Sequence, residues 1–129
     1  MFESERLARE LFDRSASGHQ AENLSSLHPE AQIAPSYDAS IAVTRADLEA
    51  HLMSEAEPAV MEARADKYTP VDDERVIVEG QVCVRRGGGG FDYRPTVWAL
   101  IFRDGLLYRS WAVRSFRDAE ARLAGSSET

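Results

Sequence analysis

The chain has 129 residues, 43% hydrophobic and 29% charged, with 22 acidic against 15 basic residues and a formal net charge of -7. That length suits one ordinary domain able to bury roughly two thirds of its unfolded surface, and the composition excludes wholesale disorder or a fibrous chain. An acidic chain repels the phosphate backbone, so general nucleic-acid binding is disfavoured.

No apolar stretch approaches the ~18–20 residues that a membrane helix needs. Met1-Phe2-Glu3-Ser4-Glu5 is acidic and runs straight into a helical pattern, so no secretion signal is expected. The single cysteine, Cys83, cannot form an internal disulfide. Together these features predict a protein of the reducing cytoplasm, with no membrane partner.

Residues 4–16 read as an amphipathic helix with Leu7, Ala8, Leu11 and Phe12 on one face, Ser4 as N-cap and Gly18 as the stop. A short helix over 19–27 follows, with Ala21, Leu24 and Leu27 on one side, ended by Pro29. Ala31–Pro35 reads as extended, and 36–43 is ambiguous. Thr44-Arg45-Ala46-Asp47 is a capping-box variant opening a helix with Leu48, Leu52 and Met53 on its apolar face.

Beyond Pro58 the period switches from 3.6 to 2. Ala59, Met61, Ala63 and Ala65 alternate with polar neighbours; Pro70–Glu74 is an acidic turn; Val76, Val78, Val82 and Val84 mark one side of a long strand. The Gly87–Gly90 run reverses the chain. Thr96–Phe102 is apolar almost throughout, as in a strand covered on both faces. Asp104-Gly105 signals a two-residue hairpin turn, Leu106–Phe116 the returning strand. Asp118 is placed to cap a last helix through Leu123, leaving Gly125–Thr129 as a frayed tail. Helices gathered early and strands gathered late predict a single α+β domain over 1–129, with helices packed on one face of a curved, mostly antiparallel sheet.

Four segments carry a family resemblance. Gly18 follows the first helix; Leu27-His28-Pro29-Glu30-Ala31 leads into the first short strand; Asp73-Glu74-Arg75-Val76-Ile77-Val78-Glu79-Gly80 follows the acidic turn and ends at a glycine. Arg103-Asp104-Gly105-Leu106 precedes Ser115-Phe116-Arg117-Asp118-Ala119-Glu120-Ala121. In order and spacing these resemble the nuclear-transport-factor-2-like superfamily, within it the SnoaL-like branch, over about residues 4–125. The resemblance implies a cone-shaped roll in which a strongly bent sheet wraps the N-terminal helices around a deep apolar pocket, in a homodimer pairing through the outer sheet face. The superfamily holds isomerases, cyclases, dehydratases, epoxide hydrolases and inert binders, so fold alone fixes no reaction.

Relatives similar to ketosteroid isomerase use a carboxylate base, a tyrosine and a protonated acid. Those positions fall here on Pro35, Leu11 and near Trp98. Proline and leucine side chains move no proton, and tryptophan only donates an indole hydrogen bond. The paired acid of epoxide-hydrolase relatives falls on Ser115, with its partner near Glu79 or Gln81. A shift of three residues would instead bring Asp38, beside Tyr37, to the base position.

The three histidines, His19, His28 and His51, have no metal-site spacing, and no metal or cofactor is expected. Gly87–Gly90, flanked by Arg85, Arg86 and Arg94, precedes a strand instead of a helix and reads as a hairpin tip, not a phosphate loop. Cys83 sits mid-strand on an apolar segment, as a structural thiol. If Trp98 faces inward, Thr96, Leu100 and Phe102 share its side by alternation; Trp111, Val113 and Ser115 are expected on the same inner face. The two tryptophans either fill the cone or line a pocket with Leu11, Leu100, Val113 and Ser115. Three functions follow: a binder of a small apolar ligand; an isomerase, cyclase or dehydratase acting on a small carbonyl compound through a set drawn from Tyr37, Asp38, Glu79, Gln81 and Ser115; or a dimerisation module with a filled cone.

Overall fold

The computed structural model describes residues 2–16, 25–34, 43, 44, 46, 61–85 and 90–126. Among them the elements run α1 (Glu3–Ala16), β1 (Leu27–Ala34), β2 (Val43–Thr44), β3 (Met61–Pro70), β4 (Arg75–Arg85), β5 (Phe91–Arg103), β6 (Leu106–Val113) and α2 (Phe116–Ser126). The strands form one six-stranded sheet in the order β2-β1-β6-β5-β4-β3. β3 to β6 make the expected antiparallel meander, and β1 lies parallel to β6. The expected helices at 19–27 and after Thr44, together with Gly18, Pro35, Tyr37, Asp38, His19, His51, Arg86 and Gly87–Gly89, fall wholly or largely outside the described residues.

The predicted apolar face of α1 is buried. Ala8 and Phe12 pack with Leu27, Ala31, Val76, Val78, Leu100, Phe102 and Leu107 in one core cluster, with Leu7 and Leu11 at its edge. Ser4 lies on this face and does not act as the N-cap. It is 0% exposed, and its hydroxyl donates to the carbonyls of Asp72 (2.5 Å) and Arg75 (3.2 Å). The Glu3 amide at the helix start donates instead to Asp73 Oδ1 at 3.2 Å, so a carboxylate from the distant acidic turn caps the helix.

Helices cover both faces of the sheet, a correction to the one-sided arrangement expected. Ala119 and Leu123 of α2 pack with Ile77, Val97, Ala99 and Val113 in a second cluster. β5 is therefore buried on both sides, as its apolar run predicted: Leu100 and Phe102 belong to the α1 side, Val97 and Ala99 to the α2 side. We call the α1 side the inner face and the α2 side the outer face.

Several boundaries differ from expectation for physical reasons. Leu27, expected in a helix, opens β1. Pro29 sits inside that strand, in the irregular stretch between the pairs Leu27↔Leu107 and Gln32↔Arg109, where its missing N–H breaks no ladder bond. β6 ends at Val113 because Ser115 starts α2: the Asp118 amide donates to Ser115 Oγ at 3.1 Å, so Ser115, not Asp118, is the cap. The helix continues through Gly125 to Ser126, past the expected stop. β4 runs through Gly80 to Arg85, as the Val76, Val78, Val82 and Val84 pattern predicts, and not only to the glycine where the family's strand ends. A Cβ on Gly80 would lie 1.9 Å from the Arg64 carbonyl oxygen, so glycine is required by close approach of β3. The Asp104-Gly105 turn is as predicted, with φ of 56° and 77°.

Candidate functional site

Two bulges decide which side chains reach the inner face. On β3, Ala63 and Ala65 pack against the inner cluster as their alternation predicts. The register then shifts between Ala65 and Lys67, with Asp66 as the extra residue. The shift reverses the alternation and brings Tyr68 to the same face. On β6 the hairpin starts Arg103↔Leu106 and Phe102↔Leu107, then jumps to Ile101↔Arg109. Tyr108 is the extra residue.

That second bulge corrects the expected pocket. A straight count from the hairpin would set Trp98 opposite Trp111, and paired residues share a face. With Tyr108 inserted, Trp98 pairs with Ala112, Leu100 with Ser110 and Ala99 with Trp111. Trp98 and Leu100 therefore stay on the inner face, whereas Trp111 and Val113 join the outer cluster beneath α2. Ser110 comes inward instead; its parallel partner Ile33 also packs against the inner cluster.

The inner wall carries an aromatic group drawn from three elements. The Phe12 ring meets Trp98 edge-on at 5.0 Å between centroids and Tyr68 at 6.2 Å. The Arg9 guanidinium lies 4.4 Å over the Tyr68 ring. Burial raises the Tyr68 phenol above its ordinary pKa, the Asp13 charge adds to this, Arg9 opposes it, and Glu5 contributes in the raising direction. Leu11 and Trp98 are only partly buried at the edge of this cluster.

Polar groups on this wall are few. The Thr96 hydroxyl donates to the Arg94 carbonyl at 3.1 Å. Ser110 is 7% exposed. Among the described residues no buried side-chain nitrogen or oxygen goes without a hydrogen-bond partner.

The expected site residues thus divide. Leu11, Trp98 and Leu100 come together on the inner face. Glu79 and Gln81 pair with Val97 and Pro95 and lie on the outer face, since their neighbours Val78 and Gly80 pair with Trp98 and Thr96. Ser115 is exposed and caps α2. These three do not meet on the inner wall. Tyr37 and Asp38 fall outside the described residues. Sequence reasoning missed Ser110 and Tyr68 as inner-face residues, because hydrophobic alternation carries no mark of a bulge. The hairpin count together with the buried apolar pattern around Leu107 was the available signal.

Tyr108 itself, the bulge residue, faces a separate cluster. Arg103 and Arg109 place their guanidinium carbons 4.0 and 3.8 Å from its ring centroid, and His28 meets it edge-on at 5.0 Å. Arg109 is already committed to the carbonyls of Glu30 and Tyr108, each at 2.9 Å, and to the Tyr108 hydroxyl at 3.1 Å. It therefore fastens β1 to β6. Among the described residues no group of three or more His, Cys, Asp or Glu side chains is placed to hold a metal ion, and no helix is long and apolar enough to cross a membrane.

This architecture is the nuclear-transport-factor-2-like fold. A Mycobacterium tuberculosis protein crystallised in complex with estradiol-17β-hemisuccinate superposes with a TM-score of 0.73 at 8% identity, over 91% of this chain and 97% of that one. A proposed polyketide cyclase from Xanthomonas campestris pv. campestris gives 0.70 at 17% identity, covering 92% and 95%. A nuclear-transport-factor-2-like protein of unknown function from Burkholderia pseudomallei gives 0.69 at 17%, also covering 92% and 95%. No family model matches the chain, and no curated protein is similar to it. The fold expected from the sequence is therefore present.

Proposed function

We propose that the protein binds a small, mainly apolar molecule against the inner wall, without the acid–base set used by relatives similar to ketosteroid isomerase. The observation that carries this reading is the partly exposed apolar edge, Leu11 and Trp98 within it, packed against a buried apolar cluster. Partly uncovered apolar surface of this kind is what an apolar ligand covers. Structural neighbours that include a steroid-ester complex and a proposed polyketide cyclase support it. The residues at the familiar catalytic positions support binding over turnover, since Leu11 and Trp98 move no proton at neutral pH.

Energy transfer from Trp98 to the uncharged probe N-phenyl-1-naphthylamine tests this in a Trp111→Phe background, which leaves Trp98 as the single donor. Saturable transfer, lost in Leu11→Arg with the fold retained, is expected. Absence of saturable binding would refute the reading.

Self-association through the outer face belongs to the same proposal. Beyond α2 that face continues along β5 to Pro95 and Tyr93, and Tyr93 is 57% exposed. Light scattering showing twice the chain mass at micromolar concentration is expected, and a monomer would contradict it. A cytoplasmic setting agrees with the single cysteine.

A further inference from the structure

The bulge that sends Trp111 to the outer face also sets Tyr108 beside Arg109, and it gathers positive charge there. The Arg103 and Arg109 guanidinium carbons lie 4.0 and 3.8 Å from the same Tyr108 ring centroid. The two cations therefore stand no more than about 8 Å apart and repel each other. The chain holds 22 acidic residues, yet neither arginine has a carboxylate partner among the described residues.

Uncommitted donors collect around that ring. Arg103 makes no hydrogen bond among the described residues. Arg109 is held by the Glu30 and Tyr108 carbonyls and the Tyr108 hydroxyl, which fixes its guanidinium while its Nε–H stays unused. The Tyr108 oxygen accepts from Arg109, and its own hydrogen is not donated within the described residues. His28, edge-on to the ring, takes the Glu30 amide on Nδ1 at 3.0 Å, so the neutral imidazole carries its hydrogen on Nε2.

A groove of about 420 Å³ opens beside this cluster, lined by Tyr108 and Arg109 together with Pro29, Glu30, Gln32 and Thr44. Glu30 is exposed, and its carboxylate pairs with neither cation. Arg109 pairs with Ile101, which packs with the outer cluster, so the groove lies across the sheet from Leu11 and Trp98. Guanidinium groups take carboxylate and phosphate oxygens through charge-assisted hydrogen bonds, and a phenol adds a further donor. We propose that Arg103, Arg109 and the Tyr108 hydroxyl bind the oxyanion of a small molecule, a carboxylate or a phosphate, whose remainder lies in this groove. The anion's charge relieves the repulsion between the two cations. Arg109, already fastened, is the fixed half of the site, and Arg103 the half free to close on the ligand. The site stands apart from the inner wall and does not depend on what binds there.

Benzoate and phenyl phosphate, with neutral benzyl alcohol beside them, test this in nitrogen–proton spectra of the arginine side chains. Both anions are expected to move the Arg103 and Arg109 Nε–H signals saturably, and benzyl alcohol is not. The tighter of the two anions names the oxyanion class. Arg103→Gln should weaken both at least about 10-fold, the size of one charge-assisted hydrogen bond, with the circular dichroism spectrum unchanged. Arg117→Gln removes the same charge from an exposed position on α2 and should leave affinity within about twofold, because salt screens separated surface charges. Equal losses in the two variants would reduce the effect to the general field of the protein and overturn the site. Undiminished binding in Arg103→Gln, benzyl alcohol binding as tightly as the anions, or no saturable movement of the arginine signals would overturn it as well. The wild-type titrations need no variant to fold, and none of these outcomes bears on apolar binding at the inner wall.

Discussion

Arg75 grips Asp72 from three directions: its amide lies 2.8 Å from Oδ1, its Nε 2.8 Å from Oδ2, and its Nη2 2.6 Å from the same oxygen. The Glu74 amide adds a fourth bond to Oδ1 at 2.9 Å. Both helices are tied to this turn. Ser4 of α1 donates to the Asp72 carbonyl, and Arg75 Nη1 reaches the Leu123 carbonyl of α2 at 3.4 Å.

Asp72→Ala should therefore destabilise the whole domain by about 1–3 kcal/mol, the range for losing a side-chain turn cap together with a part-exposed charged hydrogen bond. Urea unfolding followed by circular dichroism measures it. A change below about 0.5 kcal/mol would show that the turn holds without its carboxylate.

The same group sets an acid limit. Burial works to raise the Asp72 pKa, but the bonds from Arg75, the Glu74 and Arg75 amides and the Arg75 charge outweigh it and hold the carboxyl below its ordinary value of 3.8. A depressed folded-state pKa contributes stability that is present above the unfolded value and lost as pH falls through the folded one. Stability should thus fall below about pH 4, with a shallower slope in Asp72→Asn. Parallel slopes for both proteins would assign the acid loss elsewhere.

Gly80→Ala should be poorly tolerated. The new Cβ meets backbone, the Arg64 carbonyl oxygen at 1.9 Å, not a side chain that can turn away. Overpacking of this kind costs about 1–3 kcal/mol or more. Loss of exchange protection at the β3–β4 amides near Ala65 should accompany the drop in unfolding midpoint.

Ser115→Ala separates the capping role from the pocket role expected from sequence. Loss of the bond to the Asp118 amide should cost about 0.5–2 kcal/mol and fray the start of α2. Affinity for N-phenyl-1-naphthylamine should not change. A matching loss of probe binding would return Ser115 to the ligand site.

The sequence was most readable where periodicity and chemistry agreed. The α1 face at Leu7, Ala8, Leu11 and Phe12, the Asp104-Gly105 turn and the doubly covered β5 all follow from local pattern. The candidate site was half readable, because Leu11, Trp98 and Leu100 follow from alternation while Trp111 does not. A bulge changes the parity of a strand without changing its composition, and Trp98 and Trp111 are apolar on whichever face they lie. The cap of α2 was ambiguous for a different reason: Ser115 and Asp118 are both good capping residues three positions apart, and hydrogen-bond geometry decided for Ser115. The Asp73 cap of α1 links residues seventy positions apart, beyond the reach of any local rule.

The turn between β3 and β4 also bears on the order of assembly. Its own bonds, from Asp72 to the amides of Glu74 and Arg75, close very small loops and cost little chain entropy. Docking α1 and α2 on it closes loops of 68 and 48 residues. The hairpin is thus the inexpensive event and the two dockings the slow ones. Variants of Asp72 should then act mainly on the folding rate if the hairpin is formed in the transition state, and mainly on the unfolding rate if it is not.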